Sequence, residues 1–380
     1  MKATWPTVKL GEVMRQRKEF VLIDDQVEYA RPRVRLHAQG IVLRDRVPGA
    51  LIKTKRQQVC RPGELLVAEI DAKAGGFGIV PTELESSIVS SHYFLYQVLD
   101  SRLDVRFLDL YVRTSGFMEQ VEAQGTTNYA AIRPSDVLNY EIPLPPIAEQ
   151  RRIVARIEEL AAQVAEARAL REQATVDVDL LCRSLLASDT SPSPMPMREL
   201  VKLRAPDVAV SANEQYPFAG VYCFGRGVFR AQVKAGIDFA YPKLTRIKSG
   251  NFVYPKLMAW EGAFGVVPPE CDGCVVSTEF PVFEVIETKV LPEVLDTYYR
   301  DPSVWPEIAG SSTGTNVRRR RLNPSDFLAY KMPLPSMATQ IKLREVRQQA
   351  TELKRLHDET ATELDALMPA ILDRAFKGEL

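Results

Sequence analysis

Two stretches of the chain place apolar residues at three- and four-residue steps for far longer than one globular helix needs. From Ala148 to Ala187 there is neither Gly nor Pro, and Ile153, Ile157, Leu160, Val164, Ala167, Ala174, Val178, Leu181 and Leu185 share one seam while charged residues fill the other faces. That spacing predicts a helix of ~40 residues and ~60 Å with a coiled-coil seam. A second such helix is expected from near Thr339, with Val346, Ala350, Leu353, Thr360, Leu364, Leu367 and Ile371 on its seam and Pro369 bending its last turns. A different pattern precedes each helix. Up to about Pro145, short β-rich runs such as Glu64 to Ile70 and Ser87 to Val98 alternate with Gly and Pro turns. Arg102 to Glu122 then spaces Leu103, Phe107, Leu110, Tyr111, Phe117, Met118 and Val121 as a packed helical pair broken around Ser115-Gly116. Ser188 to Pro196 carries three prolines among small polar residues and cannot continue a helix.

The pattern occurs twice because the chain is built twice. Pro143-Leu144-Pro145-Pro146-Ile147-Ala148-Glu149-Gln150 returns as Pro333-Leu334-Pro335-Ser336-Met337-Ala338-Thr339-Gln340, and Pro134-Ser135-Asp136 as Pro324-Ser325-Asp326, both at a spacing of 190. Upstream the spacing is 187: Phe77-Gly78-Ile79-Val80-Pro81 matches Phe264-Gly265-Val266-Val267-Pro268, and Ile88-Val89-Ser90, Asp109 and Arg113 match Val275-Val276-Ser277, Asp296 and Arg300. Ordered matches with small slips are the mark of an internal duplication. The expected fold is α+β, with two similar α/β domains (1–145 and 197–335) and two long helices (146–187 and 336–380). A Pro/Ser linker covers 188–196. Two copies related by a pseudo-twofold axis would bury their seams by pairing antiparallel, with the α/β domains at opposite ends of a helical rod.

Bulk composition narrows the reading without choosing it. At 380 residues, 46% hydrophobic and 26% charged, the chain is an ordinary globular sequence. Lys+Arg 49 balance Asp+Glu 49, so any surface facing nucleic acid must be local. No apolar run approaches the ~18 residues of a membrane span, and Met1 to Pro6 lacks the apolar core of a signal peptide; a cytoplasmic location is expected. Five cysteines without framework spacing argue for reduced thiols. Cys271-Asp272-Gly273-Cys274 is the one close pair, and His37, His92 and His357 are scattered, so no metal site is expected and a turn with two buried thiols is the simpler reading.

Over essentially its whole length the chain resembles the specificity (S) subunits of type I restriction-modification systems. The residues that carry this are Gly63-Glu64-Leu65-Leu66-Val67 with Gly250-Asn251-Phe252-Val253-Tyr254, Gly76 to Pro81 with Gly262 to Pro268, and the segments Gly125-Thr126-Thr127-Asn128 through Gln150 and Gly314-Thr315-Asn316 through Pro335. The resemblance implies two target-recognition domains, each reading half of a split sequence in double-stranded DNA. Paired helices would act as a ruler and dock two methyltransferase subunits; restriction subunits would complete the complex. It implies no enzyme activity and no cofactor in this chain, with S-adenosylmethionine held by the methyltransferase subunits. Two alternatives stay open: a methyltransferase-only or type IIB-like complex, and an interaction scaffold that binds no DNA.

Chemistry motifs agree with a non-catalytic reading. An adenine methyltransferase should show Asn/Asp-Pro-Pro-aromatic and a Gly-rich loop opening a helix; Asn323-Pro324-Ser325-Asp326 lacks the second proline and the aromatic, and Gly75-Gly76-Phe77-Gly78 runs into a Val-Pro turn. No Walker A lysine loop is present. Candidate DNA contacts are Arg44 and Arg46, Lys53, Lys55 and Arg56, Lys243 and Arg246, and the run Arg318, Arg319, Arg320 and Arg321, whose charges would add salt-dependent affinity for phosphate. An isolated cluster reads more readily as a solvated face; the balance reverses for the four-arginine run, which follows Gly314-Thr315-Asn316, a segment the resemblance places near DNA. Thr126, Thr127 and Asn128 with their twins Thr315 and Asn316 complete the candidates, although an Asn after Gly-Thr is also a turn former.

Overall fold

Leu65-Leu66-Val67-Ala68, four consecutive buried apolar residues, form an inner strand of an antiparallel sheet ordered Met14–Arg17, Tyr93–Val98, Leu65–Ala68, Phe77–Ile79. A strand hydrophobic on both faces must be covered on both faces, and the helices that follow do part of this. The computed structural model describes residues 5–121, 131–190, 192–310 and 321–380. These fall into two units, Met1–Arg168 with Thr360–Leu380, and Ala169–Glu359.

In unit 1 a second, three-stranded sheet holds Phe20–Leu22, Arg56–Val59 and Ile88–Val89. The run Ser87 to Val98 is therefore two strands: the Tyr93 amide bonds back to the Ser90 carbonyl (3.2 Å), and the turn carries the chain from one sheet to the other. A hairpin of β1 (Glu28–Val34) and β2 (Ile41–Pro48) forms its own ribbon. Helix α1 (Val105–Tyr111) starts at Asp104, whose carboxylate accepts the Arg106 and Phe107 amides, and a four-residue helix, Ser115–Met118, starts at Thr114, whose hydroxyl accepts the Phe117 amide. Because Thr114 is a cap, the break of this pair falls at 112–114 and not around Ser115-Gly116. Helix α2 then runs for 41 residues, Ile147–Ala187.

Unit 2 repeats the plan. Its four-stranded sheet is Val201–Leu203, Val282–Val285, Phe252–Val253, Gly265–Val266, and its hairpin is β3 (Gln215–Val221) with β4 (Val228–Ala235). Here the hairpin joins the second sheet through one parallel pairing, Phe218 with Val275. The core stacks Phe252 on Phe327 at 5.5 Å and 7°, beside Tyr254, Phe264, Phe283 and α3 (Pro292–Tyr299). The second half of the proline-rich stretch, Ser193–Pro196, is a strand paired with Lys331–Leu334, as Thr7–Lys9 pairs with Glu141–Pro143 in unit 1. Two-stranded ribbons have free edges, where prolines cost no ladder bond.

The repeated Pro-Leu-Pro motif owes its form to a glutamine. Gln150 is fully buried; its Oε1 accepts the Asp104 amide (2.8 Å) and its Nε2 donates to the carbonyls of Arg102 (2.6 Å) and Pro145 (2.8 Å). Gln340 does the same with the Leu291 amide (2.9 Å) and the Lys289 (3.3 Å) and Pro335 (3.0 Å) carbonyls. Each glutamine ties the start of a long helix to the start of the helix packed beside it.

The last helical segment is two helices, α4 (Met337–Glu359) and α5 (Ala361–Phe376). The interruption is Thr360, at φ −96° and ψ 5°, and Pro369 is carried inside α5. Pairing with α2 is antiparallel within each unit. In unit 1, Arg152 of α2 donates to the Leu380 carbonyl (2.9 Å), and Arg168 pairs with Asp365 (2.8 Å). In unit 2, Arg171 reaches the His357 carbonyl (3.2 Å), and Asp179 pairs with Arg347 (2.6 Å). The expected seam is buried at Ile153, Ile157 and Val164, but Leu181, Leu353 and Leu367 are 49, 40 and 43% exposed. Cys182, wholly buried against unit 2, takes the place assigned to Leu181. Within each unit, apolar burial on α2 follows the α/β packing.

Candidate nucleic-acid interface

The two hairpin tips are built alike, residue for residue, at the spacing of 187. In unit 1 the His37 and Ala38 amides donate to the Ala74 (2.7 Å) and Gly75 (2.9 Å) carbonyls; in unit 2 the Phe224 and Gly225 amides donate to Glu261 (2.8 Å) and Gly262 (3.0 Å). Closing bonds match too, Arg35 N to Gly40 O and Tyr222 N to Gly227 O, both 2.9 Å. The left-handed residues are His37 (φ 57°), Ala38 (52°) and Gly40 (86°) in one tip, Phe224 (63°), Gly225 (66°) and Gly227 (83°) in the other. A non-glycine residue there costs about 1–2 kcal/mol, so each tip holds strain against its dock. Gly75 makes the dock possible: its own φ is 77°, and a Cβ would lie 2.7 Å from the Ala38 nitrogen.

Beside the unit 1 hairpin lies a groove of about 430 Å³ that brings together Arg44 and Lys53 with Arg31, Gln57, Ser90 and Tyr93. Arg31 makes a two-pronged bond to Asp45 (2.8 and 2.8 Å), and Arg44 also reaches that carboxylate (3.1 Å). Arg31 foremost holds the Asp45 carboxyl below its ordinary range, and the trio keeps one net positive charge. Lys53 is exposed with no ion pair among the described residues. Arg46 is exposed on β2, Lys55 turns to Asp25 (2.5 Å) and the Gly49 carbonyl (2.8 Å), and Arg56 lies over the Phe20 ring at 4.0 Å.

In unit 2, Lys243 is exposed at the position matching Arg56, while Arg246 donates to the Gly273 carbonyl (2.9 Å) and so serves the turn. Arg321 pairs with Glu279 (2.5 Å). Thr126, Thr127, Asn128, Thr315, Asn316, Arg318, Arg319 and Arg320 lie outside the described residues. Sequence reasoning missed the unit 2 hairpin, where Tyr222 stacks on Phe229 (4.0 Å, 21°), Arg226 lies over Tyr222 (4.7 Å) and Phe224 is 64% exposed. Its signal was the aromatic and basic alternation of Tyr222-Cys223-Phe224-Gly225-Arg226-Gly227-Val228-Phe229-Arg230; a search for cationic runs passes over it. Cys271 and Cys274 are buried in an apolar cluster with Val253 and Val276, and burial pushes the Cys271 thiol up. Among the described residues no group of His, Cys, Asp or Glu could hold a metal ion, and no helix is long and apolar enough to cross a membrane.

Residues 3–175 match the family model of the type I restriction modification DNA specificity domain. That match covers somewhat less than half of the chain. Likeness of fold extends over the whole chain: the HsdS subunit of Thermoanaerobacter tengcongensis aligns with a TM-score of 0.59 at 24% identity, over 99% of this chain and 97% of that one. A structure described as the basis of complex assembly and conformational transition of the type I R-M system aligns at 0.65 and 23%, over 99% and 98%. At these identities the likeness is one of fold. No curated protein sequence gave a match. Unit 2, which the family model reaches only through the α2 residues up to 175, shares in that whole-chain likeness of fold and in the internal repeat.

Proposed function

We propose that the chain is the DNA-recognition subunit of a type I restriction-modification complex and that each unit reads one half of a bipartite, asymmetric target in double-stranded DNA. The observation that carries this reading is the twin hairpin: one backbone, docked by the same bonds in both units, presents Arg31, Arg33, Arg44 and Arg46 in unit 1 and Tyr222, Arg226, Phe229 and Arg230 in unit 2. A recognition scaffold requires a fixed frame and variable exposed chemistry. The chain supplies recognition and performs no reaction. Adenine-N6 methylation and its S-adenosylmethionine belong to two methyltransferase subunits, and translocation and cleavage to restriction subunits, in the cytoplasm where the DNA is. Exposed apolar side chains on the unit 2 helices, Leu170, Val176, Leu180 and Leu181 of α2 with Leu353 and Leu356 of α4, support docking of a partner there.

The test is methylation of a plasmid library by the chain together with its methyltransferase partner. We expect methylated adenines in a single split sequence, none when the chain is omitted, and none from the chain alone. Methyl transfer by the isolated chain would overturn the non-catalytic assignment, and a complex that binds no DNA would make the chain a scaffold.

A further inference from the structure

The repeat spacing assigns a partner to every residue of the hairpin tips, and one pair differs in a way that nucleic-acid chemistry can use. Between the docked left-handed pair and the closing glycine stands Gln39 in unit 1 and Arg226 in unit 2, 187 residues apart. Both side chains are exposed. We propose that this one position is a base reader in each unit, Gln39 recognising an adenine and Arg226 a guanine. The proposal rests on the reading of the chain as a DNA-recognition subunit, and it names the atoms that do the reading. A glutamine amide can donate to adenine N7 and accept from its N6 amine, and an arginine fork donates twice to guanine O6 and N7. Two identical frames carrying different forks would read two different half-sites, which is what an asymmetric target demands.

Three features together mark Arg226. Its guanidinium is open, as are those of Arg33, Arg46 and Arg230 on the hairpin strands, whereas Arg31 and Arg44 share Asp45, Arg246 serves the Gly273 carbonyl and Arg321 pairs with Glu279; Arg226 makes no ion pair among the described residues and only its Nε donates, to the Cys223 carbonyl (3.3 Å). Its guanidinium carbon lies over the Tyr222 ring at 4.7 Å, a ring that Phe229 backs in turn, so the charge is held in place while its terminal donors make no hydrogen bond among the described residues. The tip itself is held on both sides: Gly225 lies against the Arg300 backbone, where a Cβ would come within 2.9 Å, and the Phe224 and Gly225 amides are docked. Little ordering remains to be done on binding, which favours specific contact over a loose phosphate one. Phe224 holds a bulky side chain at φ 63°, a conformation tolerated where the frame over-determines it.

The experiment uses the full chain with its methyltransferase partner, mapping methylated sequences for the native chain and for Arg226→Gln, Arg226→Lys and Gln39→Arg. Arg226→Gln is expected to change a single guanine in one half-site toward adenine and to leave the other half untouched. Gln39→Arg should change a single adenine toward guanine in the opposite half. Arg226→Lys keeps the charge and loses the fork, so discrimination at the guanine should fall on the order of tenfold or more while affinity for non-target DNA holds. An unchanged sequence preference in variants that assemble and melt like the native chain overturns the proposal. So does a uniform loss of affinity with a shallower salt dependence, which marks a phosphate contact, and so does a native target lacking a guanine in the half that Arg226 variants affect. If the native complex methylates no split sequence at all, the functional reading itself has failed, and that result precedes any variant.

Discussion

Units 1 and 2 solve one structural problem with different charges. In unit 1, Arg17 reaches the Val59 carbonyl and both oxygens of Glu64, whose Oε2 also accepts the Arg61 amide (2.9 Å); side chains are 10 and 3% exposed. In unit 2 the matching residues are Arg204, the Arg246 carbonyl (2.7 Å) and Asn251, whose Oδ1 accepts from Arg204 (2.9 Å) and from the Lys248 amide (3.1 Å). The geometry of donor and acceptor survives, whereas the buried carboxylate does not. Unit 2 instead neutralises its arginine at the surface, with Asp207 (2.9 Å). Hydrogen-bond direction is thus what the frame requires, and charge is negotiable so long as a buried ion keeps a partner.

The comparison predicts unequal penalties. Glu64→Ala removes a buried two-pronged carboxylate and leaves Arg17 only the Val59 carbonyl and the surface Glu19 (2.9 Å), so it should destabilise unit 1 by about 3 kcal/mol, the low end for breaking a buried pair and the largest effect expected here. Asn251→Ala removes a neutral acceptor and leaves Arg204 its carbonyl and Asp207, so about 1–3 kcal/mol is expected. Hydrogen exchange reports each unit separately and checks both; equal losses would mean that the charge of Glu64 is irrelevant. The glutamine clamps are the symmetric counterpart. Gln150→Leu and Gln340→Leu each strand one buried amide and two carbonyls, so each should cost about 1–3 kcal/mol, and by the same amount. A large inequality would show that one clamp is only apparent.

How much of this could be read in advance follows from what each residue is pressed against. Gln150 and Gln340, Pro134 and Pro324, and Gly78 and Gly265 were visible as repeats because close packing or backbone bonding leaves no substitute. Helix α2 was visible because 41 residues without Gly or Pro leave little alternative. The twin hairpins were invisible: apart from Tyr29 with Tyr216, Val34 with Val221, Gly40 with Gly227 and Gly49 with Gly236, their matched positions differ, since exposed side chains on a docked frame answer to a ligand and not to the fold. Gly49 and Gly236 persist because a Cβ would strike the carbonyls of Asp24 and Ser211, themselves 187 apart. The helix seam was overread for a related reason. Leu181, Leu353 and Leu367 have the right spacing, but the choice between i+3 and i+4 neighbours is made by the α/β surface that α2 packs on, and that surface selects Cys182. The interruption of the last helix at Thr360 leaves no Gly or Pro in the sequence to announce it.

The smallest predicted effect separates cations that are available from cations that are already engaged. Lys53 is exposed beside the unit 1 groove without an ion pair among the described residues, Arg44 shares Asp45 with Arg31, and Arg246 is spent on the Gly273 carbonyl. Each phosphate neutralised by a free cation contributes about 0.9 to the slope of log affinity against log salt. Lys53→Ser should therefore lower that slope by up to about 0.9 and weaken binding to every sequence alike. Arg44→Ser should lower it less, because it also releases Asp45 from one of its two arginines. Arg246→Ser should leave the slope unchanged and instead cost about 1 kcal/mol of stability through the lost carbonyl bond. Titrating the partner-bound chain with target and non-target duplexes at several salt concentrations checks all three, and a slope that falls for Arg246→Ser but not for Lys53→Ser would mean that phosphate is met at the Arg246 turn of unit 2 and not at the unit 1 groove.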